Sequence, residues 1–262
     1  SLINLNIETF NISSVTNMNS IFEKCKNLRY LKINDFQGNN IGGMRNMFYD
    51  CFSLTSIDFN NFIVKRVVRL DNMFFNCHNL KSLDLSNFNT SSAVNMESMF
   101  YECSSLRYLN INNFFTNNTI SMENMFLGCR SLISLNLSNF IISEGTNYNN
   151  MFFRTTDNLI YCANEEFYGK IKQQLTYKKC TIRVLDCSSG WKKLPKKIID
   201  DNGECIEDCN LTEKYKYEYE NRCYSSCPKG TTSAFNKKNN YYRRNYQRNS
   251  ITKRNKNRGD YC

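Results

Sequence analysis

The chain has 262 residues, 41% of them hydrophobic, which is enough to bury a core in one large domain or two modest ones. Its net charge is +10, but the segment from Asn236 to Cys262 holds nine Lys and Arg against one Asp, so the other 235 residues carry only +2 and any nucleic-acid footprint would have to lie in that tail. No run approaches the roughly 18 apolar residues that span a membrane, and no signal-peptide pattern opens the chain; a membrane anchor, if the protein has one, is expected outside this segment.

The first 152 residues repeat. Cys25, Cys51, Cys77, Cys103 and Cys129 are each 26 residues apart, and periods of this length are the signature of solenoids. Phe22, Phe48, Phe74, Phe100 and Phe126 stand three residues before the cysteines, and Leu28, Leu54, Leu80, Leu106 and Leu132 three after. Further apolar columns fall six, eight and eleven residues after, the last being Phe36, Phe62, Phe88, Phe114 and Phe140. Leu2, Leu5, Ile7 and Phe10 fit the second half of a preceding copy, while Met151 and Phe152 begin another in which Thr155 replaces the cysteine. The array is therefore expected to be a piece of a longer one.

Within a copy, Met96, Met99, Phe100 and Cys103 have the i, i+3, i+4, i+7 spacing of one helical face. Asn95 suits an N-cap, and Glu97, with Asp71 and Glu123 in the same column, suits the positive end of a helix dipole. Leu83-Asp84-Leu85 then alternates as a short strand does, and Asn87-Phe88 starts the return turn. One such unit cannot bury its apolar side alone, but stacked units share a continuous core. The expected fold is α/β: a right-handed leucine-rich-repeat-like solenoid over residues 1–156, with a short parallel strand and a short helix per repeat. A C-terminal cap is expected over 157–187, a small disulfide-rich module over 188–235 and a basic, disordered tail over 236–262.

The string Asn95-Met96 to Phe100, then Cys103, Leu106, Leu109, Ile111 and Phe114, resembles the BspA-like leucine-rich repeats of bacterial and protist surface proteins. That resemblance implies a curved solenoid at a cell surface that binds host, matrix or microbial partners. In such solenoids the strand side is a common recognition surface. Its outward residues here are Tyr30, Lys32, Ser56, Asp58, Ser82, Asp84, Tyr108, Asn110, Ser134 and Asn136. Tyrosines among small polar groups suit protein or glycan contacts, although an ordinary solvated face has the same composition.

The repeat cysteines are expected to fill the core, where free cysteine is common. The eight others lie in a polar, tyrosine-rich stretch that cannot make an adequate core, so covalent staples are expected there. Cys205-x3-Cys209-x13-Cys223-x3-Cys227-Pro228 resembles the furin-like, growth-factor-receptor type of cysteine-rich module, and that resemblance implies the pairs Cys205 with Cys223 and Cys209 with Cys227. Cys162 with Cys180 is expected to close the cap, with Cys187 and Cys262 unassigned. A tetrahedral zinc site on the same four module cysteines is the rival reading.

Sequons at Asn11, Asn89, Asn117, Asn136 and Asn210 agree with an extracellular chain that has disulfides. The tail interleaves Tyr241, Tyr242 and Tyr246 with Arg243, Arg244 and Arg248, a pattern that can stack on single-stranded nucleic acid but is equally that of a disordered linker. Arg258-Gly259-Asp260 is a weak integrin-type tripeptide. No phosphate-binding loop, histidine cluster or carboxylate pair suggests catalysis, and the single histidine, His78, follows Cys77 directly and so points off the core face. The expectation is a non-enzymatic, cofactor-free surface or secreted protein with an extracellular protein or glycan partner on a host or microbial cell surface and no nucleic-acid partner. The alternative is an intracellular zinc-stabilised interaction scaffold.

Overall fold

The computed structural model describes residues 2–7, 14–33, 37–175, 182–184 and 187, together with the backbone of short strands in the last third of the chain. The chain divides into two compact units, Ser1–Lys193 and Leu194–Cys262.

The first unit is a parallel β-solenoid of about six turns. Its strands are β1 (Asn4–Asn6), β2 (Tyr30–Lys32), β3 (Gln37–Gly38), β4 (Ser56–Asp58), β5 (Ile63–Val64), β6 (Ser82–Asp84), β7 (Tyr108–Asn110), β8 (Ser134–Leu137), β9 (Ile160–Ala163) and β10 (Ile182–Val184), with one helix, α1 (Glu165–Leu175), between the last two. Register follows the repeat: Tyr30 pairs with Ser56, Ser82 with Tyr108, and Tyr108 with Ser134, each one repeat further on. The apolar columns fix this register, because a slip of one residue would turn every buried side chain outward. The strand ladder is interrupted between β4 and β6, where the Lys81 N–H still reaches the Thr55 carbonyl at 3.3 Å.

The expected helix of each repeat is not formed. Residues 97–102 and their equivalents are successive turns, with Ser98 at φ 53° and Glu102 at φ 51°, where a helix needs about −63°. The amides alternate in direction. Met99, Tyr101 and Cys103 donate to carbonyls three residues back, at 3.1–3.3 Å, while Met96, Ser98, Phe100 and Glu102 donate to Ser121, Glu123, Met125 and Leu127 in the next coil, at 2.7–2.9 Å. The physical reason is spacing. A helix is about 10 Å across with its side chains, whereas paired strands are about 4.8 Å apart. Chain turned every four residues keeps the same apolar face as a helix and stacks at the strand spacing. Asn95 accordingly caps an Asx turn, its Oδ1 accepting from the Glu97 N–H at 2.9 Å. A second parallel ladder runs through Asn17, Gly43, Arg69, Asn95, Ser121 and Asn147.

Inside, Phe22, Phe48, Phe74, Phe100, Phe126 and Phe152 stack with ring centroids 5.3–5.7 Å apart. This side of the coil therefore advances nearly as tightly as the strands do. The columns led by Leu28, Met44 and Phe62 are buried as the register requires. In the first coil Ile21 is exposed, although it belongs to the same column as the buried Met47.

In the second unit, β11 (Ile198–Ile199), β12 (Cys205–Ile206), β13 (Tyr217–Tyr219), β14 (Arg222–Tyr224) and β15 (Asp260–Tyr261) form one sheet, in which β13 and β14 are antiparallel. The side chains that would form the expected pairs Cys205 with Cys223 and Cys209 with Cys227, or the rival zinc site, and most of the basic tail lie outside what the structure describes.

Candidate functional site

The strand side is built from two outward columns. One holds Tyr30, Ser56, Ser82, Tyr108 and Ser134, and the other Lys32, Asp58, Asp84, Asn110 and Asn136. The second column is largely occupied with folding. Asp58, Asp84, Asn110 and Asn136 each accept, through a side-chain oxygen, from the main-chain N–H two residues on, at 2.8–3.4 Å, which ends the strand in an Asx turn. Asn110 Nδ2 also donates to Asp84 Oδ2 at 3.1 Å, and Asn136 Nδ2 to Asn112 Oδ1 at 3.1 Å. A glycan on the Asn136 sequon would have to disrupt that pairing.

The first column is different. Among the described residues, the side chains of Tyr30, Ser56, Ser82, Tyr108 and Ser134 make no hydrogen bond, and Tyr108 is 59% exposed with no ring partner. Five of the ten outward residues converge on one pocket. Ser82, Asp84, Tyr108, Asn110 and Ser134 line a cavity of about 370 Å³ together with Ile57, Leu83 and Leu109. It sits on β6 and β7, beside the interruption of the ladder. Asp84 is its one charged lining group. Tyr30, Lys32, Ser56, Asp58 and Asn136 share the face but not the pocket.

The turn side carries a column whose alignment is visible in the sequence but whose role is not. Tyr49, Phe75 and Tyr101, two residues before successive cysteines, stack as neighbours with centroids 4.7 and 4.4 Å apart. Each ring covers the face of the next, so mainly edges are presented. Charged groups on this side are likewise paired. The nearly buried Asp71 carboxylate takes both Arg69 (2.7 Å) and Arg45 (3.0 Å), and Glu102 takes Arg130 and Arg154. His78 is half-buried and stacks on Phe52 at 5.7 Å, with Nδ1 donating to the Glu102 carbonyl at 2.9 Å, so it is committed to that contact and not to a Cys-His pair.

The family described as "Mycoplasma protein of unknown function, DUF285" matches this chain over residues 1–82 and 44–160, the same stretch that forms the coils. The chain belongs to the DUF285 family. No curated protein and no solved structure matches it.

The DUF285 coils hold their cysteines as core. Cys51, Cys77, Cys103 and Cys129 are fully buried free thiols, each donating through Sγ to a phenylalanine carbonyl 29 residues back (Phe22, Phe48, Phe74 and Phe100) at 3.0–3.2 Å. Burial pushes the Cys51 thiol up to about 12 and the others well above the ordinary range. Where Thr155 replaces the cysteine, its hydroxyl turns to the Phe152 carbonyl of its own coil at 2.8 Å.

The DUF285 match ends where the cap begins. Cys162 is bonded to Cys187, not to Cys180, which lies outside the described residues. The pairing has a simple cause. Val184 on β10 is the register partner of Cys162 on β9, so the chain three residues later crosses the outward face of β9. There Ile160 and Cys162 are wholly buried and pack with Val184 and Cys187. The strand side is thus covered at β9, and among the described residues no segment crosses it from β2 to β8. Among the described residues no helix is long and apolar enough to cross a membrane.

Proposed function

We propose that this chain is a non-enzymatic, surface-displayed or secreted binding protein that engages an extracellular protein or glycan through the strand side of its solenoid, in the manner its resemblance to BspA-like repeats implies. The observation that carries this reading is the convergence of Ser82, Asp84, Tyr108, Asn110 and Ser134 on a single pocket. Sites of this kind combine a few convergent polar groups with an apolar floor. Two things support the location. The Cys162–Cys187 disulfide suits an oxidising compartment, and the DUF285 coils contribute no thiol that is both exposed and acidic.

The test is binding of the purified full chain to immobilised extracellular-matrix proteins and cell-surface glycoproteins. A variant carrying Ser82→Arg and Ser134→Arg fills the pocket, and Ile120→Arg places the same group on an exposed position of a different ladder. The first should lose at least about tenfold in affinity, the loss of one good contact, and the second should bind as the parent does. Equal binding by the two variants would rule out the strand side as the surface.

A further inference from the structure

We propose that the pocket on β6 and β7 is a subsite for a neutral saccharide, bound with the C–H face of one sugar ring on the Tyr108 ring. This rests on the strand-side reading and adds a ligand chemistry to it. Aromatic residues occur on both sides of the coils, and of the exposed aromatic side chains among the described residues Tyr108 is the most exposed. Tyr49, Phe75 and Tyr101 cover one another face to face. Tyr108 stands on the opposite side, 59% exposed and without a ring partner among the described residues. The negative face of an aromatic ring attracts weakly positive C–H groups, which a pyranose ring presents on one face while its hydroxyls point outward around the rim.

The rest of the pocket matches that rim. The hydroxyls of Ser82 and Ser134 can each donate and accept, as sugar hydroxyls do, and neither is used within the described fold. Asn110 and Asp84 lie side by side, held at 3.1 Å, so amide and carboxylate face the same space. With Asp84 as the charged member of the lining, the pocket favours a neutral ligand over a sialylated or sulfated one. The volume, about 370 Å³, is at the low end of small-ligand sites, which run from roughly 300 to 1,000 Å³. It accommodates the end of a glycan and not a folded surface.

The experiment is a titration of the full chain against immobilised oligosaccharides in three groups: neutral hexose, neutral N-acetylhexosamine and sialylated. Four variants accompany the parent. Tyr108→Ala removes the ring. Tyr108→Phe keeps it. Asp84→Asn keeps the Asx turn, because Asn110 and Asn136 close the same turn in the next two coils. Tyr30→Ala changes the same column outside the pocket.

The parent should bind one of the neutral groups. Tyr108→Ala and Asp84→Asn should each lose about tenfold or more, while Tyr108→Phe and Tyr30→Ala should stay within about threefold, less than the 1.4 kcal/mol that a tenfold change represents. Absence of saccharide binding by the parent, preference for the sialylated group, or unchanged binding by Tyr108→Ala would each overturn the proposal. If the pocket-filling arginines abolish binding to a matrix or surface protein while no saccharide binds, the strand-side reading stands and the saccharide inference falls. If they abolish neither kind of binding, both fall.

Discussion

Each coil has two outward sides that meet water with different degrees of commitment. On the turn side, side chains answer one another across the coils: Tyr49, Phe75 and Tyr101 stack, Asp71 holds two arginines, and Asn147 Nδ2 donates to Glu123 at 2.7 Å. On the strand side, one column is likewise absorbed in Asx turns, but among the described residues the column from Tyr30 to Ser134 keeps its hydroxyls unused. Both sides are equally periodic. The difference shows that repetition by itself does not mark a binding surface. In the proposed reading, what marks one is a row of polar groups that the described fold leaves unused.

The largest test of this comparison concerns the core behind both sides. Phe100→Ala should cost roughly 3–5 kcal/mol, because Phe100 is fully buried between Phe74 and Phe126. Urea denaturation measures it, and a loss under about 1 kcal/mol would mean the column is not packed as described. Next is the cap. The disulfide closes a loop with a sequence separation of 25, for which chain entropy predicts about 3–4 kcal/mol, so Cys162→Ser should lower stability by that order. It should also let limited proteolysis cut near Cys187 first, since that segment covers Ile160.

A smaller change probes the turn side alone. Gly128 has φ +76°, and a Cβ there would fall 2.5 Å from the Glu102 carboxyl carbon. Gly128→Ala should therefore cost about 1–2 kcal/mol from backbone strain and should loosen the Glu102 ion pairs; a neutral effect would show that the turn geometry is different. Ser82→Arg, on the strand side, should fall within about 0.5 kcal/mol, as exposed positions without partners do.

The thiols supply a pH test. The folded protein holds its buried thiol protons above the ordinary 9.0, up to about 12 for Cys51, so it binds more protons than the unfolded chain does between those values. Their stabilising contribution is complete below pH 9 and is lost as pH rises toward 12. The denaturation midpoint should fall across that window, and alkylation of the native protein should reach the half-buried Cys25 before the other coil cysteines. A midpoint that is flat with pH would contradict the burial.

Much of this architecture could be read from the sequence, for identifiable reasons. The 26-residue columns determine which side chains face in, and the outward strand residues follow from alternation once Leu83 and Leu109 are placed inside. The backbone between Asn95 and Cys103 could not be read in the same way. An i, i+3, i+4, i+7 pattern is satisfied equally by a helix and by chain bent every four residues. The distinguishing signal was the run of Asn46, Asn72, Asn124 and Asn150 in one column, since asparagine tolerates the left-handed backbone found there. The pocket was half legible. Its polar residues belong to the outward set, but which of them are already spent on Asx turns depends on geometry, as with Asp84 and Asn110. The partner of Cys162 follows from the β9–β10 register, which no cysteine spacing encodes.

The sulfur ladder has a genetic consequence. Cys51, Cys77, Cys103 and Cys129 each donate to the coil before, and the carbonyls of Phe22, Phe48, Phe74 and Phe100 each receive from the coil after, so the coils between them present the same sockets at both ends. Deleting or duplicating 26 codons within the array would rejoin like sockets, whereas an in-frame change of any other size would leave a coil out of step. The gene can therefore lengthen or shorten this protein in whole coils while each remaining coil keeps its bonding.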